Sequence, residues 1–144
     1  TELARRRSHW RVWVGPEELL VPALRAGAHG GVHGGAQLVP QWFVRLYQAY
    51  RRGDENEVTL WQGRIQQLGR IYRVGRDASA VVKGLKCALS WLGICRDDLA
   101  PPLEGFRPPE RAQVRSILEE VGLLAETHPQ GLAAGDVSGP LSHP

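Results

Sequence analysis

The sequence predicts an α/β chain that is mostly helix, with one β-α-β unit near the N-terminal end and then helix upon helix. Three observations carry this. A short β-prone run, an amphipathic helix and a glycine-rich strand candidate follow one another within residues 11–35. From residue 40 the apolar residues recur at i, i+3, i+4 and i+7, the period of a helix face. The composition agrees, with 144 residues, 42% hydrophobic and 23% charged, which fits one globular unit and excludes a collagen-like or disulfide-scaffold chain.

Residues 11–14 (RVWV) form the β-prone run, which ends at Gly15. Pro16 then stands where a first helical turn begins, with Glu17 and Glu18 behind it. Proline at the first helical position and acids in the first turn both favour a helix start. That helix is expected to reach Ala26, burying Leu19, Leu20, Ala23 and Leu24, with Gly27 as its stop. Residues 28–35 (AHGGVHGG) read as a strand whose backbone is closely approached by another element. Strand, helix and strand at this spacing imply parallel pairing through a right-handed crossover.

Pro40 opens a helix with Phe43, Leu46, Tyr47 and Tyr50 on one face and Gly53 at its end. Asp54 and Glu57 fit a capping box for the next helix, expected to carry Leu60, Trp61, Ile65, Leu68 and Ile71 as far as Tyr72. A third helix is expected over 79–92. A fourth, over 110–121, follows a proline-rich connector and stops at Gly122. Beyond Leu124 the residues are small or polar and read as a flexible tail. The chain thus divides into residues 1–52, the strand-bearing part; 53–124, a helical region; and 125–144, the tail.

Function classes narrow on charge and motifs. Of the 18 basic residues 16 are arginine, scattered among 15 acidic ones, and the net charge is +3. No clustered basic face for nucleic acid emerges from that pattern. No apolar run approaches the ~20 residues of a membrane span, and no signal-peptide core follows the first arginines, so a cytoplasmic protein without a membrane partner is expected. Cys87 and Cys95 form neither a CxxC pair nor a four-ligand zinc site and read as buried thiols. His29 and His33 on a strand would project about 13 Å apart at ~3.3 Å per residue, too far to share an ion, so no metal is expected. The sequence contains no methionine and opens on Thr-Glu-Leu-Ala-Arg-Arg-Arg, which reads as the middle of a helix. An incomplete gene product is expected.

The order of these segments carries a resemblance. RVWVGPEELLVPALRAGAHGGVHGGAQLVPQWFVRLYQAYRRGD, followed by VVKGLKCALSWLGIC, LAPPLEGFRPPER and VRSILEEVGLL, resembles the C-terminal part of the dihydrodipicolinate synthase / N-acetylneuraminate lyase family, class I aldolases with a (β/α)8 TIM barrel. It covers about residues 11–124. The resemblance implies the last two barrel strands followed by a C-terminal helical bundle, because a whole barrel takes roughly 250 residues. It implies a lyase that makes or breaks a carbon–carbon bond next to pyruvate or a related 2-oxo acid. The family does so through a lysine Schiff base, without a cofactor, as a homo-oligomer when full length. The Schiff-base lysine and its tyrosine are expected upstream of Thr1, so no catalytic residue is expected in this chain.

Four substrate-binding positions follow from the same resemblance. Gly15 matches the glycine that lets backbone approach the substrate. Glu17, with Glu18, matches acids that bind hydroxyls in sialic-acid-cleaving members, although both also complement a helix dipole by about 0.3–1 kcal/mol. Val32 and Gly34, with Gly31 and His33, match the final strand, where small residues leave room for the imine. Pro16 and Gly34 replace a tyrosine and a hydroxyl residue of the sialic-acid lyases and argue against that substrate. Lys83 and Lys86 are the two lysines; their i, i+3 spacing on a helix reads as surface rather than as a desolvated nucleophile. Trp42, Phe43, Tyr47, Tyr50, Trp61 and Trp91 recur at helical spacing and read as packing. The alternative to an enzyme part is a non-catalytic helical interaction module derived from an aldolase, binding a partner through the face that once met the barrel.

Overall fold

A computed structural model of the chain describes residues 2, 9–75 and 77–124. The tail expected over 125–144 lies outside the described residues. Two short strands, β1 (Trp13–Val14) and β2 (Gly30–Gly31), pair in parallel with Trp13 opposite Gly30 and Val14 opposite Gly31. The ladder extends by His29 N–H to the Val12 carbonyl at 2.8 Å and Val32 N–H to the Val14 carbonyl at 2.9 Å. Two histidines hold its ends. The Val12 N–H donates to His29 Nδ1 at 3.1 Å, and His33 Nδ1 lies 2.7 Å from the Gly15 carbonyl.

The connection between the strands is α1 (Leu20–Arg25), entered through a 3-10 turn at Glu17–Leu19. That turn corrects the expected buried stripe. Leu20, Val21 and Leu24 are buried while Leu19 is exposed, because the tighter turn shifts the helix phase. The second strand is also shorter than expected. Gly34 is not on it but opens a 3-10 turn, Gly34–Gln37, with His33 extended in front.

Helices α2 (Pro40–Arg52) and α3 (Glu55–Leu68) form an antiparallel pair. Gly53 takes φ +74 to end α2, a conformation that favours glycine. Asp54 caps α3 by accepting from the Glu57 N–H at 3.0 Å. The reciprocal half of the capping box is absent, since the Asp54 N–H goes to the Ala49 carbonyl and the Glu57 carboxylate pairs with Arg52 at 2.8 Å. The buried face of α3 is Val58, Trp61, Ile65 and Leu68. Leu60, one position off that stripe, is exposed.

At Gly69 the α-helix tightens into a 3-10 stretch, Gly69–Arg73, where the periodicity alone predicts unbroken helix. Then come α4 (Ala80–Trp91) and α5 (Pro108–Glu120). One apolar cluster runs from Leu20 and Leu24 through Phe43, Leu46, Ile65, Leu68 and Ile71 to Cys87, Val114 and Leu118. Cys87 is buried in it, and burial pushes its thiol pKa up. Cys95 is exposed, which corrects the reading of both thiols as buried. Among the described residues no helix is long and apolar enough to cross a membrane.

The sheet has two unlike faces. Val14 and His33 face the helices, His33 stacking on Phe43 with ring centroids 5.1 Å apart. On the other face the Trp13 ring lies across Gly30, where a Cβ would meet it at 2.9 Å. Trp13 is 59% exposed and Val32 76%.

Two glycines on helices test this packing in opposite directions. A Cβ at Gly84 would land on the Ile71 carbonyl oxygen, whereas one at Gly63 meets nothing within 4 Å. Gly84→Ala is expected to cost about 1–3 kcal/mol through overpacking. Gly63→Ala is expected to stabilise by roughly 0.5–1 kcal/mol through helix propensity. Urea midpoints of the two variants against the parent chain decide both.

Candidate functional site

Parallel strands bring the segments that follow them side by side, so residues 15–18 and 33–37 meet beyond the C-terminal ends of β1 and β2. The 3-10 stretch after α3 closes over them. The result is a cleft of about 660 Å³ whose walls include Gly15, Pro16, Glu17 and Gly34 on the strand side and Gly69 and Tyr72 on the helical side. Ligands of open and closed α/β folds bind at this end of the strands.

Glu17 is the centre of the arrangement. It is 5% exposed, and an unpartnered carboxylate at such depth costs several kcal/mol. Its Oε1 accepts from the Gly35 N–H at 2.5 Å and from the Tyr72 hydroxyl at 2.7 Å. Its backbone carbonyl accepts from the Gln62 side-chain amide at 3.2 Å. The carboxylate lies so close to Gly35 that a Cβ there would meet Oε1 at 2.8 Å and Oε2 at 3.1 Å. Oε2 is buried with no hydrogen-bond partner among the described residues.

Three of the four residues singled out in the sequence therefore come together. Gly15, Glu17 and Gly34 line the cleft, and Gly34 sits under the Tyr72 hydroxyl, 3.1 Å from where its own Cβ would be. Val32 stands apart on the open face of the sheet. Glu18 is exposed at the cleft rim. The lysines lie away from the cleft, Lys83 pairing with Asp77 at 3.3 Å and Lys86 approaching Cys95 Sγ at 3.9 Å. His29 and His33 serve opposite ends of β1, and among the described residues no cluster of three His, Cys, Asp or Glu forms.

Sequence reasoning missed Tyr72, Gly35 and Gln62. Tyr72 falls one place beyond the Ile71 end of the apolar stripe, and only the tightening at Gly69 turns it towards Glu17. Gly35 was visible as part of a glycine-rich run, without a sign that its N–H would be the donor.

The sequence pattern of the dihydrodipicolinate synthetase family matches residues 2–121. The chain belongs to that family. Among curated family relatives, it is 32% identical over 108 residues to the 4-hydroxy-tetrahydrodipicolinate synthase of Cereibacter sphaeroides, covering 71% of this chain and 35% of that protein. Its fold matches the dihydrodipicolinate synthase of Bacteroides thetaiotaomicron with TM-score 0.77 and 40% identity, over 83% of this chain and 40% of the other. It also matches YagE of E. coli K12, solved in complex with pyruvate, with TM-score 0.75 and 24% identity over 84% of this chain and 40% of the other. That last likeness is one of fold. The chain thus spans about 35–40% of the length of these family members. The family fold is a (β/α)8 barrel, and these residues form its last two strands and the helices behind them, as the sequence led us to expect.

Tyr72 gives the site a pH signature. Burial, then the hydrogen bond to Glu17, then the charges of Glu17 and Glu18 hold its proton well above the ordinary tyrosine range. The folded chain keeps this proton at a pH where the unfolded chain loses it. Stability is therefore complete below pH ~10 and falls as the pH rises past it, at up to ~1.4 kcal/mol per unit, over a span that solvent screening of a partly buried ring shortens. Tyr72→Phe is expected to remove that part of the alkaline fall, read from urea midpoints measured on both sides of pH ~10.

Proposed function

We propose that this chain is the distal wall of a Schiff-base lyase site, for which the nucleophilic lysine comes from polypeptide outside these 144 residues. The observation that carries the reading is the convergence of Gly15, Glu17 and Gly34 in a cleft at the C-terminal ends of two parallel barrel strands, where a β/α barrel does its chemistry. The pyruvate bound in a protein of the same fold supports a 2-oxo acid as the small-molecule partner.

In that reaction a lysine amine condenses with the keto carbon, expelling water. The protonated imine then draws in the electron pair of the carbon–carbon bond one removed from the imine carbon, giving an enamine while the hydroxyl on the departing carbon loses its proton and becomes a carbonyl; bond formation runs the same step backwards. This chain's residues contribute shape. Gly15 and Gly34 present backbone without side chains, so a planar imine can lie against them. Val32, on the open face beside the exposed Trp13, stands where strand side chains of a closed barrel point inward. Glu17 holds the two loops at a fixed separation.

The open face also accounts for the interaction reading. Trp13 and Val32 are apolar groups left on a sheet face with two free edges among the described residues, and the rest of the barrel is the partner that would cover them.

Borohydride treatment with pyruvate tests the reaction. A polypeptide that joins these residues to the preceding barrel strands is expected to gain one covalent adduct on a lysine outside residues 1–144. The 144-residue chain alone is expected to gain none. An adduct on Lys83 or Lys86, or none on the folded longer polypeptide, overturns the proposal.

A further inference from the structure

The cleft is polar in name more than in reach. Its buried carboxylate is already engaged: Glu17 Oε1 carries two short hydrogen bonds, and Oε2 is packed against Gly35 out of solvent. Pro16 has no N–H to offer. Gly15 and Gly34 have no side chains, and the Tyr72 hydroxyl already donates its hydrogen bond to Glu17. The remaining polar groups, Glu18, Gln66 and Arg73, are exposed and confined to the rim. A ligand lying along the inner wall meets little that can bond to a hydroxyl.

From this we infer that Tyr72 is a positioning residue that sets substrate choice. By donating to Glu17 Oε1 it ties the carboxylate into the protein framework, and the site therefore selects 2-oxo acids with an unhydroxylated tail over those with a polyhydroxylated one. The inference rests on the lyase reading above and names the substrate class for it. Its physical basis is an asymmetry of polar recognition. A hydroxyl moved from water to a wall with few free side-chain acceptors loses hydrogen bonds it cannot replace, while an alkyl tail loses nothing and gains burial.

Removing the Tyr72 hydroxyl returns a lone pair of Oε1 to the cleft. Tyr72→Phe leaves the ring and its packing in place and makes Glu17 an acceptor for the ligand.

The test uses the longer polypeptide of the borohydride experiment and two aldol-type 2-oxo acids that differ only in the tail, one alkyl and one polyhydroxylated. The parent is expected to cleave the alkyl compound with the higher kcat/KM. Tyr72→Phe is expected to move the ratio towards the hydroxylated compound by about tenfold, the size of one hydrogen bond to a charged group, with the change carried by KM. Adding Glu17→Gln is expected to diminish that gain. A ratio that stays put in Tyr72→Phe, or an equal fall for both compounds, overturns the inference.

A second readout needs no substrate. In the longer polypeptide, Tyr72→Phe and Glu17→Gln are expected to lower the urea midpoint by less together than the sum of their separate effects, because both break the same hydrogen bond. Additive effects mean the tie to Glu17 does not exist, and the inference falls with it. Failure of imine trapping together with non-additive midpoints removes the lyase reading and leaves the Tyr72–Glu17 tie standing, so the two failures are told apart.

Discussion

The Glu17 carboxylate holds this part of the molecule together. It is buried at the junction of three segments far apart in sequence: its own loop after β1, the Gly34–Gln37 turn after β2, and the Gly69–Arg73 turn after α3. A buried carboxylate is tolerable only with donors close by, and each donor constrains the segment that supplies it. Gly35 has no Cβ, because one would strike the carboxylate. Tyr72 reaches across 55 positions of sequence. Gln62 secures the backbone of Glu17 from the side of α3. One polar group thus joins the strand side of the cleft to its helical side.

Around that point the sheet is minimal and the helices supply most of the burial. Two strands of two residues would not persist alone in water. They persist because the crossover helix and α2 cover one face, with His33 stacked on Phe43 and Tyr50 donating to the Leu24 carbonyl at 2.9 Å. The apolar cluster continues without a break through α3, α4 and α5. Strand ends and helical region thus share a core, and a disturbance at Gly84 or Ile71 reaches Tyr72 through the backbone it displaces.

Much of this architecture was legible in the residues. Parallel pairing followed from the spacing of RVWV, the amphipathic helix and AHGGVHGG, and it brings Gly15, Glu17 and Gly34 to one cleft. Helix ends at Gly27, Gly53, Gly93 and Gly122 all show positive φ. What stayed hidden was phase. The 3-10 turn at Glu17–Leu19 exposed Leu19 in place of Val21, and the tightening at Gly69 carried Tyr72 to the site. Both depend on hydrogen bonds between distant segments, which a local apolar period does not record. The tie between Glu17 and Tyr72 belongs to the same class.

The histidines at the two ends of β1 face opposite kinds of backbone partner. His29 accepts from the Val12 N–H and so needs a bare Nδ1, with its proton on the other nitrogen. His33 faces a carbonyl that can only accept, so its Nδ1 must carry hydrogen. The two ends of β1 thus demand opposite tautomers of the same side chain, so neither ring could take the other's place: one would set a lone pair against a carbonyl oxygen, the other a hydrogen against an N–H.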